Sequence, residues 1–507
     1  MLFAAGFVQD LVRGQVAVGA CGHGKNQEVR MRRSQRSSGV QAHRSGFSRR
    51  QLLQGAAGAG LGAAAFSRAG YQAFAQDEEI PREPSSATVE GTLQVLQKID
   101  FHPDHNQFIK DEIAAYAALN GWQVEVSEVG SLNAGEVAQR LVAGVQAGNA
   151  PDLYFDNIPA MRQYQDLGIL ADVTDLTNEM IETHGDTTPA MKNNGNFNDA
   201  WWGVPWFTRI DGWWSRRDVF EPAGIDMATL TTMDERRQAA LEVSDPENNM
   251  FGWGVTVNRS TDARSLVQNT LFHFGSTLQD ESGDVVTFNS PESVAALEWL
   301  AETYGSEEFA PMLPTGVMAW TDTGNNEAFL AGILALTQNA GTMYAKAVFD
   351  QVPFADQIDY LPNALRLSDG QPTDMLGGVM LHVIEGTKNR EATEDLVRHL
   401  CSEAVQRRIW TISLAYAVPA YLNGWEDPII TENPNASRSK SATYDNETFT
   451  GLRWPGPPSV AVDAVGGGFD QVDMVAEVLQ GRPAAEVVED YHNRWVEIWK
   501  DYGLPGE

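Results

Sequence analysis

From residue 92 onward, apolar and polar positions alternate between two periods. Thr92 to Ile99 reads as a strand, and Asn106 to Leu119 carries Phe108, Ile109, Ile113 and Tyr116 at helical spacing. Trp122 to Val129 alternates through Val124, Val126 and Val129, and Glu136 to Ala147 places Val137, Leu141 and Val145 on one stripe. Pro151 to Asp156 is a short apolar run ending in acid. Strand, helix, strand, helix, strand predicts an α/β fold whose parallel sheet is covered by helices. In such sheets ligands collect at the carboxyl ends of strands, here Asp100 to His105 and Asp156-Asn157.

A second α/β pattern follows. Pro291 to Tyr304 is helical, Phe329 to Leu336 leads through Thr337 to Gly341 into a helix, and Gly377-Gly378 opens a strand to Ile384. Asn389 to Leu400, Glu403 to Ile412 and Phe469 to Trp499 are helical, the last broken at Gly481-Arg482-Pro483. Tyr421 to Pro458, rich in Pro, Asn and Ser, has no period and is expected to be an irregular loop.

The first 75 residues depart from this picture. Ser48-Arg49-Arg50-Gln51-Leu52-Leu53, a mild Gly/Ala-rich apolar stretch and Ala73-Phe74-Ala75 form a charged region, a short apolar region and a small-x-small cleavage site. Paired arginines at this place mark the twin-arginine export route, so residues 1-75 are expected to be an N-terminal extension and signal peptide, cleaved after Ala75. Because such signals begin near the initiator, Met31 is the expected translation start. Residues 76-87 are acidic and aperiodic and are expected to be a disordered lead-in.

Charge and cysteine content narrow the function. Residues 1–75 hold ten Lys or Arg and two acids, leaving 26 basic against 66 acidic residues and a formal charge of −40. Such a surface repels phosphate backbones, which argues against nucleic acid as a partner. Cys401 alone remains after cleavage, so there is no intramolecular disulfide and no cysteine-rich metal box. We find no G-x-G-x-x-G after a strand, no P-loop and no G-x-S-x-G, and Gly466-Gly467-Gly468 lacks the strand-to-helix context of a phosphate loop. A glycoside hydrolase, needing two facing carboxylates, stays open among so many acids.

Six aromatics, Trp201, Trp202, Trp206, Phe207, Trp213 and Trp214, fall within 14 residues. A sugar ring needs flat faces to stack and short polar groups for its hydroxyl rim. Trp206 is the first candidate, while one of Trp213 and Trp214, on alternate faces of a strand, belongs to the core. Asp156 and Asp211 suit paired hydroxyls, although helix capping accounts for either as well. Asn339 and Gly341 are placed to offer backbone N–H groups at a helix start. Trp320, Tyr344, Trp454 and the neighbouring Arg453 are further candidates, with packing or surface charge as the alternative. His102-Pro103-Asp104-His105 contains a proline that prevents helical pairing of its histidines, so no metal is expected there.

Trp202-Gly203-Val204-Pro205-Trp206-Phe207-Thr208, followed by Trp213 to Asp226, resembles the family 1 extracellular solute-binding proteins of ABC importers. Val286-Thr287-Phe288-Asn289-Ser290-Pro291-Glu292, Glu327 to Leu336 and Gly377-Gly378 through Glu403 are similar to later landmarks of that family, in order. Departures occur at Ser215 to Phe220, at Tyr344 where a Trp is usual, and over Tyr421 to Pro458. The resemblance implies a two-lobed periplasmic-binding-protein fold, type II-like, with residues 88-205 plus 358-412 as lobe 1 and 206-357 plus 413-507 as lobe 2. It implies a ligand cleft between the lobes that His102, Asp104, Asn157 and Gly377 would flank, and hinge closure recognised by a membrane permease. The expected function is capture of a carbohydrate or polyol for an ABC importer, by a soluble, extracytoplasmic monomer with no cofactor and no catalysis. Its partners would be permease subunits and, during export, the twin-arginine translocase; a cationic or phosphorylated solute is the alternative ligand.

Overall fold

A computed structural model describes residues 79–129, 134–156, 161–374, 378–445 and 451–507. The expected signal, the start at Met31, Asn157 and Gly377 lie outside the described residues.

In the first lobe, strand Leu93–Lys98 runs parallel to Val124–Val129 on one side and Leu153–Asp156 on the other. Helices Pro103–Leu119 and Ala134–Ala147 make the two crossovers. Leu93, Val95, Leu96, Leu153, Tyr154 and Phe155 are buried, as a sheet packed on both faces requires. The sheet then continues antiparallel through Gly378–Val383, Val204–Arg209 and Ala417–Pro419, six strands among the described residues. The parallel strands all deliver their carboxyl ends to one edge, which places Lys98, Asp100 and Asp156 together.

The second lobe is built on Asp211–Arg216, antiparallel to Leu334–Ala340 and to Ile358–Leu361, with Phe251–Trp253 parallel at the edge. Its core joins helices Thr261–Phe274 and Pro291–Gly305 to the terminal helices Asp470–Leu479 and Ala484–Asp501. Trp213 and Trp214 do fall on opposite faces. Trp213 packs with Trp253 at 4.7 Å in this core, whereas Trp214 turns to the other cluster and stacks on Tyr344, centroids 5.5 Å apart.

One residue separates the two sheets. Ile210 follows Val204–Arg209 and precedes Asp211–Arg216; its N–H donates to the Tyr416 carbonyl at 3.1 Å, and its carbonyl accepts from Gly341 N–H at 3.0 Å. A crossing this short leaves few torsions to absorb a rotation of one sheet against the other.

Four expectations about organisation change. Residues 358-412 do not all belong with the first lobe, since Ile358–Leu361 bonds to Asp211–Arg216 and the chain returns to the first sheet only at Gly378. Residues 413-507 are likewise divided: Ala417–Pro419 adds a strand to the first sheet, while Ala461, Val462 and Val465 begin the return to the second core. Local patterning carries no record of which sheet a short strand joins.

The stretch from Tyr421, expected as a loop, contains helices Pro428–Thr431 and Pro434–Lys440, capped by the side chains of Asp427 and Asn433. Asp-Pro and Asn-Pro here are an N-cap followed by proline at the first helical position, a start signal hidden by the lack of period. The segment from 79, expected as disordered lead-in, is held against the first lobe. Ile80 is buried, and Arg82 pairs with Glu112 through two bonds of 2.7 Å, a carboxylate that His399 also meets at 2.7 Å.

On another side, helix Met161–Asp166 of the first core abuts helix Val460–Gly466 of the second. The Arg162 N–H donates to Asp463 Oδ2 at 3.0 Å, and the Arg162 guanidinium, 4.0 Å from Asp463 Oδ1, donates to the Asn193 carbonyl at 2.9 Å. Burial pushes the Asp463 carboxyl up to about 7, against the pull of Arg162 and the Arg162 and Gln163 amides; Asp166 adds to the rise. A carboxyl raised on folding binds its proton more tightly in the native state, so its stabilising effect is full below the unfolded value and lost as pH rises through about 7. Melting temperature is therefore expected to fall between pH 5 and 8 more steeply in the parent than in Asp463→Asn; equal slopes would remove Asp463 as the cause.

Candidate functional site

A cavity of about 300 Å³ lies where the two sheets meet. The first lobe contributes Lys98, Asp100 and Phe101 from the end of Leu93–Lys98, and the crossing contributes Arg209, Asp211 and Gly212. The second lobe contributes Thr261, Asp262 and Asn269 from one helix, Asp322 and Asn326 near another, and Gln338, Asn339 and Asn363. Among the described residues Phe101 is the one aromatic ring of this lining; amides, carboxylates and hydroxyls make most of the rest.

The first-lobe side is an ion-pair relay. Lys98 Nζ stands 3.1 Å from Asp156 and 3.6 Å from Asp100, whose Oδ2 also accepts from the Tyr416 hydroxyl at 2.6 Å. Burial works against the Lys98 charge, yet Asp156 and Asp100 hold it above the ordinary lysine value. Burial likewise opposes ionisation of Asp100, and Lys98 with the Tyr416 hydroxyl reverses it, leaving the carboxyl below its usual range. Arg209 donates to Asp211 Oδ2 through Nε at 3.0 Å and Nη2 at 2.8 Å. Both cations of the lining are thus neutralised inside the protein.

The second-lobe side is different. Asp262 Oδ2 accepts from the Asn325 and Asn339 amides, each at 2.9 Å, and the Asp262 N–H donates to Asp322 Oδ1 at 3.1 Å. Burial, then the neighbouring Asp322 charge, raises the Asp262 carboxyl well above the ordinary aspartate value.

Of the candidates named from sequence, Asp211 and Asn339 line the cavity. Asp156 stands behind it, reaching it through Lys98 and accepting from the Tyr154 hydroxyl at 2.7 Å. Trp206 is elsewhere: it is fully buried in the first core, edge-on to Phe155 at 4.9 Å, with its indole N–H on the Leu400 carbonyl at 3.0 Å. Tyr344 is taken up by its stack on Trp214. The Gly341 N–H bonds Ile210, so it is not free for a ligand.

His102 is buried, its Nε2 2.9 Å from the Ile412 carbonyl and its ring against Phe349, while Asp104 is exposed in the first turn of Pro103–Leu119. Trp320 is half-buried against both cores, two residues short of Asp322. Trp454 lies under the Arg366 guanidinium at 3.8 Å, and the Arg453 carbonyl accepts from Gln279 at 2.7 Å. Neither joins the cavity. Sequence reasoning passed over Lys98, Arg209, Asp262, Asp322 and Asn363. Lys98, like Asp100, carried a signal, its place at a parallel strand's carboxyl end; Asp262 looked like an ordinary first-turn acid after the Ser260 cap.

Residues 112–437 match the family model of bacterial extracellular solute-binding proteins. A probable ABC transporter-binding protein of Deinococcus radiodurans is 26% identical over 229 residues, 43% of this chain and 52% of the relative. The chain thus spans about half the length of this curated relative. Among solved structures, maltose-bound MalE3 of T. maritima superposes with a TM-score of 0.68 at 19% identity, covering 81% of this chain and 98% of that one. A sugar transporter from Arthrobacter chlorophenolicus A6 with bound laminaribiose gives 0.66 at 16% identity, over 80% and 98%. An ABC transporter solute-binding protein from Agrobacterium radiobacter K84 in complex with ribitol gives 0.64 at 16% identity, over 81% and 98%. At these identities the likeness speaks for the two-lobed fold.

Proposed function

Because this chain belongs to the bacterial extracellular solute-binding proteins, we propose that it is the substrate-capturing component of an ABC importer, holding a carbohydrate or polyol between its lobes and delivering it to a membrane permease. The observation that carries this reading is the cavity itself: about 300 Å³, lined by Asp100, Asp211, Asn339 and further amides and hydroxyls beside the Phe101 ring. Such a lining offers a polyhydroxylated solute many hydrogen-bond partners and one apolar face. A phosphorylated ligand fits less well, because Lys98 and Arg209 already face carboxylates.

Closure would turn about the Ile210 crossing and its bonds to Gly341 and Tyr416. Work outside the cytoplasm, as a monomer and without catalysis, belongs to the same reading. So does export by the twin-arginine route, which rests on the Ser48-Arg49-Arg50 segment. No helix among the described residues is long and apolar enough to cross a membrane.

Isothermal titration with maltose, laminaribiose and ribitol is expected to find a binding partner that also raises the melting temperature. Asn339→Ala should weaken that partner about tenfold, the equivalent of a charge-assisted or neutral hydrogen bond with its neighbours. Asp104→Asn, on an exposed turn, should not change it. Binding confined to amino acids or peptides would sink the carbohydrate reading.

A further inference from the structure

The two walls of the cavity are not equivalent. On the first-lobe side, each cation meets a carboxylate: Lys98 meets Asp156 and Asp100, and Arg209 meets Asp211. On the second-lobe side, Asp262 and Asp322 touch each other through a backbone amide and make no ion pair among the described residues. Arg264, whose charge Asp322 favours, turns its Nη1 to the Gly466 carbonyl at 3.1 Å.

A second observation is independent of those charges. Asn269, Asn326 and Gln338 line the same cavity, are each less than a tenth exposed, and each leaves its side-chain oxygen without a partner. The Asn326 amide donates to the Asp322 carbonyl at 3.1 Å, which fixes its orientation, because a flip would set oxygen against oxygen. The amides of Asn269 and Gln338 both donate to Asn363 Oδ1, at 3.2 and 3.3 Å. Two carboxylates without an ion pair among the described residues and the unpartnered Asn326 oxygen ask for a ligand group that donates several hydrogen bonds and carries positive charge.

We propose that this wall is an ammonium subsite, and that the ligand is a polyhydroxylated amine, an amino sugar or aminopolyol, whose protonated nitrogen sits among Asp262, Asp322 and Asn326. Its hydroxyls then face Asp100, Asp211 and Asn339. The inference rests on the carbohydrate reading and narrows it. The raised Asp262 carboxyl accords with it: burial beside Asp322 penalises its charge until a cation arrives.

The test compares amino, hydroxyl and N-acetyl forms of gluco- and galacto-configured sugars by titration calorimetry at about pH 6, in buffer containing a chelator, with spermidine as an amine lacking hydroxyls. The amino form is expected to bind about tenfold or more tighter than its hydroxyl and N-acetyl partners, as a charge-assisted contact should. Asp322→Asn should erase most of that preference with little change in melting temperature. Asp262→Asn should do the same, and if it folds poorly the Asp322 variant decides. Equal or tighter binding of the neutral forms overturns the ammonium subsite and leaves the carbohydrate reading standing. Failure of every sugar, amino or neutral, and of spermidine as well overturns both. Spermidine binding with no sugar bound keeps the ammonium seat and removes the carbohydrate around it.

Discussion

Gly341→Ala is expected to lose stability and ligand affinity together. A Cβ at this position would lie 2.3 Å from the Ala415 carbonyl oxygen and 2.8 Å from the Ala415 carbonyl carbon and the Tyr416 Cα. All three are backbone atoms, so no side-chain rotation relieves the clash. The φ of Gly341, −64°, is ordinary, and at an unobstructed site alanine would add about 0.4–1 kcal/mol of stability. Here the close approach reverses the sign. Pushing the segments apart strains the Gly341 and Tyr416 bonds to Ile210, at the crossing between the sheets. The overpacking cost is about 1–3 kcal/mol, with the hydrogen bonds adding to it. Urea denaturation measures the first effect and calorimetry the second. Gly305→Ala, whose added carbon would meet only Leu479 Cδ2 at 3.4 Å, is the comparison and should be close to neutral. A Gly341→Ala protein that unfolds and binds like the parent would refute this account of the crossing.

Trp206→Ala is expected to cost about 3–5 kcal/mol in unfolding free energy while leaving the affinity of the remaining folded protein unchanged. The indole is fully buried, touches Phe155 and Phe207 at centroid distances of 4.9 and 5.0 Å, and satisfies the Leu400 carbonyl. Removing it opens a cavity and takes away one of two donors to that carbonyl, which keeps the Gln406 amide at 3.0 Å. Trp206→Phe keeps most of the volume and should recover a large part of the loss. The reverse result, a stable Trp206→Ala protein that no longer binds, would restore this tryptophan to the ligand site.

Aromatic density marked residues 201–214 correctly as a special stretch, since the chain crosses from one sheet to the other within it. Density alone does not say which way a ring points. In Val204–Arg209 the first five residues are buried, so its rings serve the core. Asp211 was legible because it follows a crossover, and Asn339 because it precedes a helix start. Asp262 and Asp322 were not, because each in isolation is an ordinary acid near a helix N-terminus. Their meaning comes from being brought together without an ion pair among the described residues.

The hydrophobic periods by themselves determined the α/β class, the succession of strands and helices, and the gathering of polar residues at the carboxyl ends of parallel strands. Those are local properties, encoded within ten or so residues of chain. Tertiary structure alone decided which sheet Ile358–Leu361 and Ala417–Pro419 join, where the chain crosses, and which of many polar residues face one another across about 300 Å³. Pairing of strands and convergence of side chains depend on contacts between segments up to hundreds of residues apart, and no periodicity along the chain records them.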